Sequence, residues 1–207
     1  MALRSGKRAP KQAAEVRRET VLDAAIRVFG RNSYRAAGTA EIAREAGIAE
    51  PTIYRYFDSK RDLYLAALER CDTIICDNFR RIAGTHTSGA EALRAMGAWY
   101  REAHVTDPDH LRLRQRAIAE ADDDDVREVT RRTYDEVRAI AAEVIARGQE
   151  QGAFRPDMRP EAGAWMFIAM GHVLDLTRLI GMAPEEYEAD CDQMIELAFG
   201  SMLATSA

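Results

Sequence analysis

Apolar residues recur along most of the chain at spacings of three and four, and glycine, proline and short polar stretches cut the runs. That period is the signature of α-helices with one buried face. The first run predicts a helix over about 17–29, with Leu22, Ala25, Ile26 and Phe29 on one stripe. Arg31-Asn32-Ser33 interrupts it, and Tyr34 is placed to pack back on that helix. A short second helix is predicted from Thr39 to Ala46, closed by Gly47 where a left-handed backbone is needed. A third begins after Ala49, with Pro51 in its first turn and Ile53 and Phe57 as anchors. A fourth starts at Ser59, where Ser59-Lys60-Arg61-Asp62 has capping-box form, and its apolar stripe continues to about Ile82.

Residues 84–89 read as a loop. Further helices are predicted over about 90–105, 110–120, 124–151, 160–180 and 184–203. The chain is therefore expected to be all-α, with about nine helices. The acidic run Asp122 to Asp125 stands where negative charge favours a helix N-terminus. The last two helices are apolar on more than one face, so each needs more than one packing partner.

Composition permits long helices, with 6 prolines and 13 glycines in 207 residues. A net charge of −5 argues against a nucleic-acid binder when taken alone. Its distribution reverses that reading. Residues 1–60 hold 12 Lys and Arg against 7 Asp and Glu, whereas the remainder holds 17 against 27. A basic head on an acidic body confines polyanion binding to the head. Residues 1–16, with Arg4, Lys7, Arg8 and Lys11, read as a basic mobile arm.

Cys71, Cys76 and Cys191 are odd in number and form no Cys-x-x-Cys, so they are expected to be reduced core residues of a cytoplasmic protein. The N-terminal stretch has no apolar segment that would make a signal peptide, and the longest apolar run, Ala164 to Met170, is too short to span a bilayer. A Gly-rich phosphate loop, a His-x-x-x-His pair and a Cys/His ligand set are all missing, so the expectation is no enzyme, no metal and no cofactor.

One stretch carries the functional signal. In Thr39 to Lys60, Ala43 allows close helix approach, Gly47 makes the turn and Ile53 plugs the second helix onto the first. This is the helix-turn-helix pattern, whose second helix enters the major groove. With the phrases Ile26-Arg27-Val28-Phe29, Ile42-Ala43-Arg44-Glu45-Ala46-Gly47-Ile48, Thr52-Ile53-Tyr54-Arg55-Tyr56-Phe57 and Ser59-Lys60-Arg61-Asp62-Leu63, the chain resembles the TetR family of bacterial transcriptional regulators. The resemblance covers about residues 17–68. It departs from the usual pattern at Gly38 and Ala49, where a hydroxyl residue usually caps a helix, and at Pro51, where a glycine often stands.

The candidate DNA contacts are Thr39, Arg44, Pro51, Thr52, Tyr54, Arg55, Tyr56 and Lys60. Arg55 is the base reader, because its planar fork matches guanine O6 and N7. Thr52 offers a methyl or hydroxyl, Tyr54 and Tyr56 offer hydroxyls to phosphates, and Lys60 and Thr39 sit at helix N-termini that favour phosphate. Glu50 reads as surface decoration.

The resemblance implies more than the residues alone. It implies a helix-turn-helix domain over 17–62 and a ligand-binding and dimerisation domain over 63–207. It implies a homodimer joined through the last two helices, with Gly163, Ala164, Ala169 and Gly171 allowing close approach, on a pseudo-palindromic double-stranded operator. It also implies a small, partly apolar effector among the middle helices, with Met96, Trp99, Tyr100, His104, Trp165, Met170 and His172 as candidate liners. The function expected is a dimeric repressor, cytoplasmic and nucleoid-associated, released from DNA by that effector. The alternative is a DNA-binding structural or cell-division factor that takes no small molecule.

Overall fold

A computed structural model describes residues 8–204, with side chains from residue 14 onward except those of His104 and Pro184. Within it the chain forms α1 (Arg8–Arg31), α2 (Thr39–Glu45), a 3₁₀ helix (Glu50–Arg55), α3 (Lys60–Thr85), α4 (Gly89–Thr106), α5 (Pro108–Ala119), α6 (Asp124–Glu150), α7 (Pro160–Leu179) and α8 (Pro184–Met202). No strand occurs among the described residues; one isolated bridge pairs Phe154 with Leu203.

Two apolar cores organise these helices. The first gathers Leu22, Ile26 and Phe29 of α1 with Ile42, Ile53 and Leu63, and it is closed by Leu113, Ala117, Val126 and Val129 from α5 and α6. The second gathers Phe79, Leu93, Met96, Val144, Phe154 and Phe167. α3 belongs to both: Leu63 to Cys71 enter the first core and Ile75 to Ile82 the second. With 26 residues it runs about 39 Å at 1.5 Å per residue. α5 lies between the cores, turning Leu111 to the second and Leu113 to the first.

The start of α1 differs from expectation. It begins at Arg8, so residues 8–16 extend the helix expected from residue 17; residues 1–7 of the expected arm lie outside the described residues. The cause is local propensity. Gln12-Ala13-Ala14-Glu15 and Arg17-Arg18-Glu19 are strong helix formers, and Pro10 falls in the first turn, where its missing N–H costs little.

The other ends follow their caps. Ser59 Oγ accepts from Asp62 N at 3.0 Å and donates to the Asp62 carboxylate at 2.9 Å. Asp123 caps α6 by accepting from Asp125 N and Val126 N. Gly47, at φ 69°, makes the left-handed turn between α2 and the 3₁₀ helix.

The dimer-facing expectation for the small residues of α7 needs correction. A Cβ on Gly163 would stand 2.9 Å from Ile145 Cδ1, Ala164 is fully buried, and Gly171 lies against the Tyr100 ring. These three serve packing within the chain. Only Ala169 of the four is exposed.

Candidate DNA interface and ligand cavity

The helix-turn-helix is built on two plugs. Ile42 and Ile53 are both fully buried and lock α2 and the 3₁₀ helix onto α1. What they leave outside is the candidate interface. Pro51, Tyr54, Arg55 and Arg44 are exposed, while Thr52, Tyr56, Thr39 and Lys60 are half-buried. In a 3₁₀ helix residues three apart eclipse, so Thr52 and Arg55 stand on one edge.

Internal bonds engage two of the expected phosphate contacts. Thr39 Oγ1 donates to Glu50 Oε1 at 2.5 Å and accepts from the Tyr54 hydroxyl at 3.4 Å. Glu50 is thus a tie between α2 and the 3₁₀ helix, and the reading of it as surface decoration is corrected. The Lys60 ammonium lies 4.6 Å from the centroid of the Tyr34 ring, which holds it at the N-terminus of α3. Tyr34 itself packs 6.2 Å from Phe29 and 4.9 Å from Tyr64, ring centre to ring centre.

A cavity of about 560 Å³ opens among α3 to α8. Ile75, Phe79, Leu93, Val137, Phe167 and Ile168 form its apolar wall. Its polar lining includes Tyr100, Arg114, Tyr134, His172 and Asp175, and also the charged Arg94, Arg101, Glu102, Arg178, Glu188 and Glu196. The Tyr100 hydroxyl donates to Asp175 at 3.0 Å, and Gln115 Nε2 donates to the same carboxylate. The Tyr134 hydroxyl meets His172 Nε2 at 3.0 Å. Arg114 Nε donates to Asp72 Oδ1 at 3.0 Å.

Burial dominates the titration of these bonded groups. It pushes the Tyr100 and Tyr134 hydroxyls and the Asp72 carboxyl up, and His172 down. Burial also opposes the charge on Arg114, but Asp72 outweighs it with help from Tyr100, Tyr134 and Asp175, so the guanidinium holds its proton even more firmly than usual.

Of the expected liners, Tyr100, Met170 and His172 do line the cavity. Met96 does not; it is fully buried in the second core. Trp99 packs edge-on against Phe79 at 5.6 Å. Trp165 is 50% exposed on the outer side of α7, beside a shallow groove that it shares with Leu176 and Leu179. The side chain of His104 lies outside the described residues. Arg114, Tyr134, Asp175 and Phe79 are cavity residues that sequence reasoning missed. An arginine among others in Arg112-Leu113-Arg114-Gln115-Arg116 carries no signal that it points inward.

α5 ties this cavity to the head. Two residues beyond Arg114, Arg116 Nε donates to the carbonyl of Gly30 and Nη2 to that of Arg31, the last residues of α1. Arg31 pairs with Asp109 at 3.0 Å. The Tyr64 hydroxyl donates to Glu120 Oε2 at 2.5 Å, and Tyr34 N donates to Glu120 Oε1 at 3.3 Å. Arg61 bridges Asp123 and Asp125 and, with the α6 N–H groups, holds the Asp123 carboxyl down at about 2.

Residues 21–67 match the family model of bacterial regulatory proteins of the tetR family. Residues 89–200, more than half of the chain, match that of the BetI-type transcriptional repressor C-terminal region. The chain belongs to the TetR family. The transcriptional activator FasR of Mycolicibacterium smegmatis is 40% identical over 92 residues, which are 44% of this chain and 41% of that protein. The chain spans less than half the length of the curated relatives it matches. Among solved TetR-like folds, a transcriptional regulator of Saccharomonospora viridis in complex with choline superposes with TM-score 0.77 at 23% identity, over 91% of this chain and 98% of that one. FadR of Bacillus subtilis in complex with stearoyl-CoA superposes with TM-score 0.70 at 18% identity, over 89% and 98%. No helix among the described residues is long and apolar enough to cross a membrane.

Proposed function

We propose that this TetR-family chain is a dimeric, sequence-specific DNA-binding repressor that a small molecule in the α3–α8 cavity releases from its operator. One observation carries the reading: α5 turns Arg114 into the cavity and Arg116 onto the end of α1, so a ligand that displaces α5 displaces the DNA-binding head. Thr52 and Arg55 read bases from the exposed edge of the 3₁₀ helix. Arg44, Tyr54, Tyr56, Pro51 and Lys60 approach the backbone, and Thr39 does so from its tie to Glu50. The divisions 17–62 and 63–207 serve as DNA-binding and effector-binding units, sharing α3 and α5 as their joint.

Dimerisation is supported by an unpaired apolar stripe. Trp165, Ala169, Leu176, Leu179 and Ile180 run along the exposed side of α7, with Leu197 exposed on α8. A second copy packed there gives the two heads the two-fold relation that a pseudo-palindromic operator requires. Such a protein works in the cytoplasm, on the nucleoid. The sense of regulation follows the repressor model matched by residues 89–200.

The test is selection of bound duplexes by the full chain, followed by release with candidate ligands. A two-fold-symmetric site and its ligand-dependent loss are expected. Failure to enrich any sequence overturns the reading, and stable DNA binding by a monomer overturns the dimer.

A further inference from the structure

With the cavity as the effector site proposed above, the chemistry of its polar end narrows what can bind there. A guanidinium carries five N–H donors in one plane. Arg114 uses Nε on Asp72. Among the described residues, its two terminal nitrogens bond to no protein group. They are also not sealed in protein: the buried side-chain atoms left without partners are on Glu19, Arg138 and Arg147, whereas Arg114 lines the cavity. The other polar groups there are matched to one another, Tyr100 and Gln115 to Asp175 and Tyr134 to His172. The unspent capacity on Arg114 is therefore donor capacity beside the apolar wall, in a cavity that the exposed Glu102, Glu188 and Glu196 also line.

We propose that the effector is an apolar chain ending in an acyl group, a carboxylate or an ester, whose oxygen accepts from the terminal nitrogens of Arg114. The paired N–H groups at the end of the fork suit a planar acyl head. The chain of such a ligand lies along Ile75, Phe79 and Phe167. A quaternary ammonium head offers no acceptor to the terminal nitrogens of Arg114. Charge separates the two acyl forms. Arg114 is already balanced by Asp72, and the Asp175 carboxylate lies at the same end. A neutral ester is therefore expected to bind at least as tightly as the free acid.

The experiment uses the full chain with decanoic acid, methyl decanoate and decyltrimethylammonium, each below its micellar concentration. Displacement of the neutral fluorophore aminoanthracene reports cavity binding, and release of the selected operator reports the response. The acid and the ester should displace the fluorophore and release DNA, with the ammonium the weakest of the three. Arg114→Lys keeps a cation beside Asp72 and should weaken both acyl ligands about tenfold. The paired substitution Arg114→Gln with Asp72→Asn removes both charges together and should do the same, with cooperative melting as the check on its fold. Unchanged acyl affinity in these variants overturns the assignment. So does binding by the ammonium alone, which leaves the effector reading standing. If the fluorophore does not enter the wild-type protein and none of the three compounds releases DNA, the effector reading falls with it.

Discussion

Arg116 Nε donates to the main-chain carbonyl of Gly30 at 3.0 Å, which places a cation of α5 on the negative end of the α1 dipole. Arg114, which lines the cavity, is two residues away on the same helix. Arg116→Ala should leave ligand affinity unchanged and shift the ligand concentration needed for operator release by a coupling loss of about 0.5–2 kcal/mol. Fluorophore displacement and operator release, titrated side by side, separate the two quantities.

Gly30 meets α5 backbone to backbone. A Cβ placed there would stand 2.5 Å from the carbonyl oxygen of Asp109, and neither partner is a flexible side chain. Gly30→Ala should force α1 and α5 apart and destabilise the fold by about 1–3 kcal/mol. Denaturant unfolding at constant m-value measures it.

Arg55→Ala should lose about 1–3 kcal/mol of operator binding and relax preference at one base pair. Lys60→Ala should weaken all duplexes alike and flatten the salt dependence. Binding-site selection repeated with each variant distinguishes these outcomes; an unaltered preference in Arg55→Ala would remove Arg55 from the readout.

Burial lowers the pKa of His172, so the folded chain binds fewer protons there than the unfolded chain does. Stability then rises with pH in the window below the ordinary histidine value and is lost as pH falls through about 6.5. Compared with wild type, His172→Gln should lose less stability between about pH 7.5 and pH 5.5. Thermal melts of the two proteins across that range supply the comparison.

Cys71 and Cys76 are buried, and burial pushes both thiols up, Cys76 to about 11. In the native protein at neutral pH neither should react with iodoacetamide. Both should react in denaturant. Mass spectrometry of peptides labelled under the two conditions reads this directly.

Much of the architecture was legible because it is local. Ser59, Gly47, Pro160 and Pro184 mark helix ends by their own conformational limits, and the structure places ends at or beside them. The plugs Ile53 and Phe57 could be read from spacing for the same reason. Residues 8–16 form helix rather than a mobile arm because the helix propensity of their alanines, Gln12 and Glu15 outweighs their positive charge. The cavity was less legible. Met96 and Tyr100 are four apart on α4, yet one fills the core and the other lines the chamber. Helical period names a buried face but not whether that face meets side chains or space. Likewise Leu111 and Leu113 face opposite cores, and only their packing reveals that Arg114 turns inward between them.

A single helix serving both cavity and head has a consequence for the cell's arithmetic. If a ligand releases the operator as proposed, then in a thermodynamic square the factor it takes from operator affinity is the factor the operator must take from ligand affinity. Protein seated on DNA is then a poorer sensor than protein adrift. When copies outnumber operators, the idle ones capture ligand first. The concentration at which the genes respond therefore climbs with the abundance of the regulator itself.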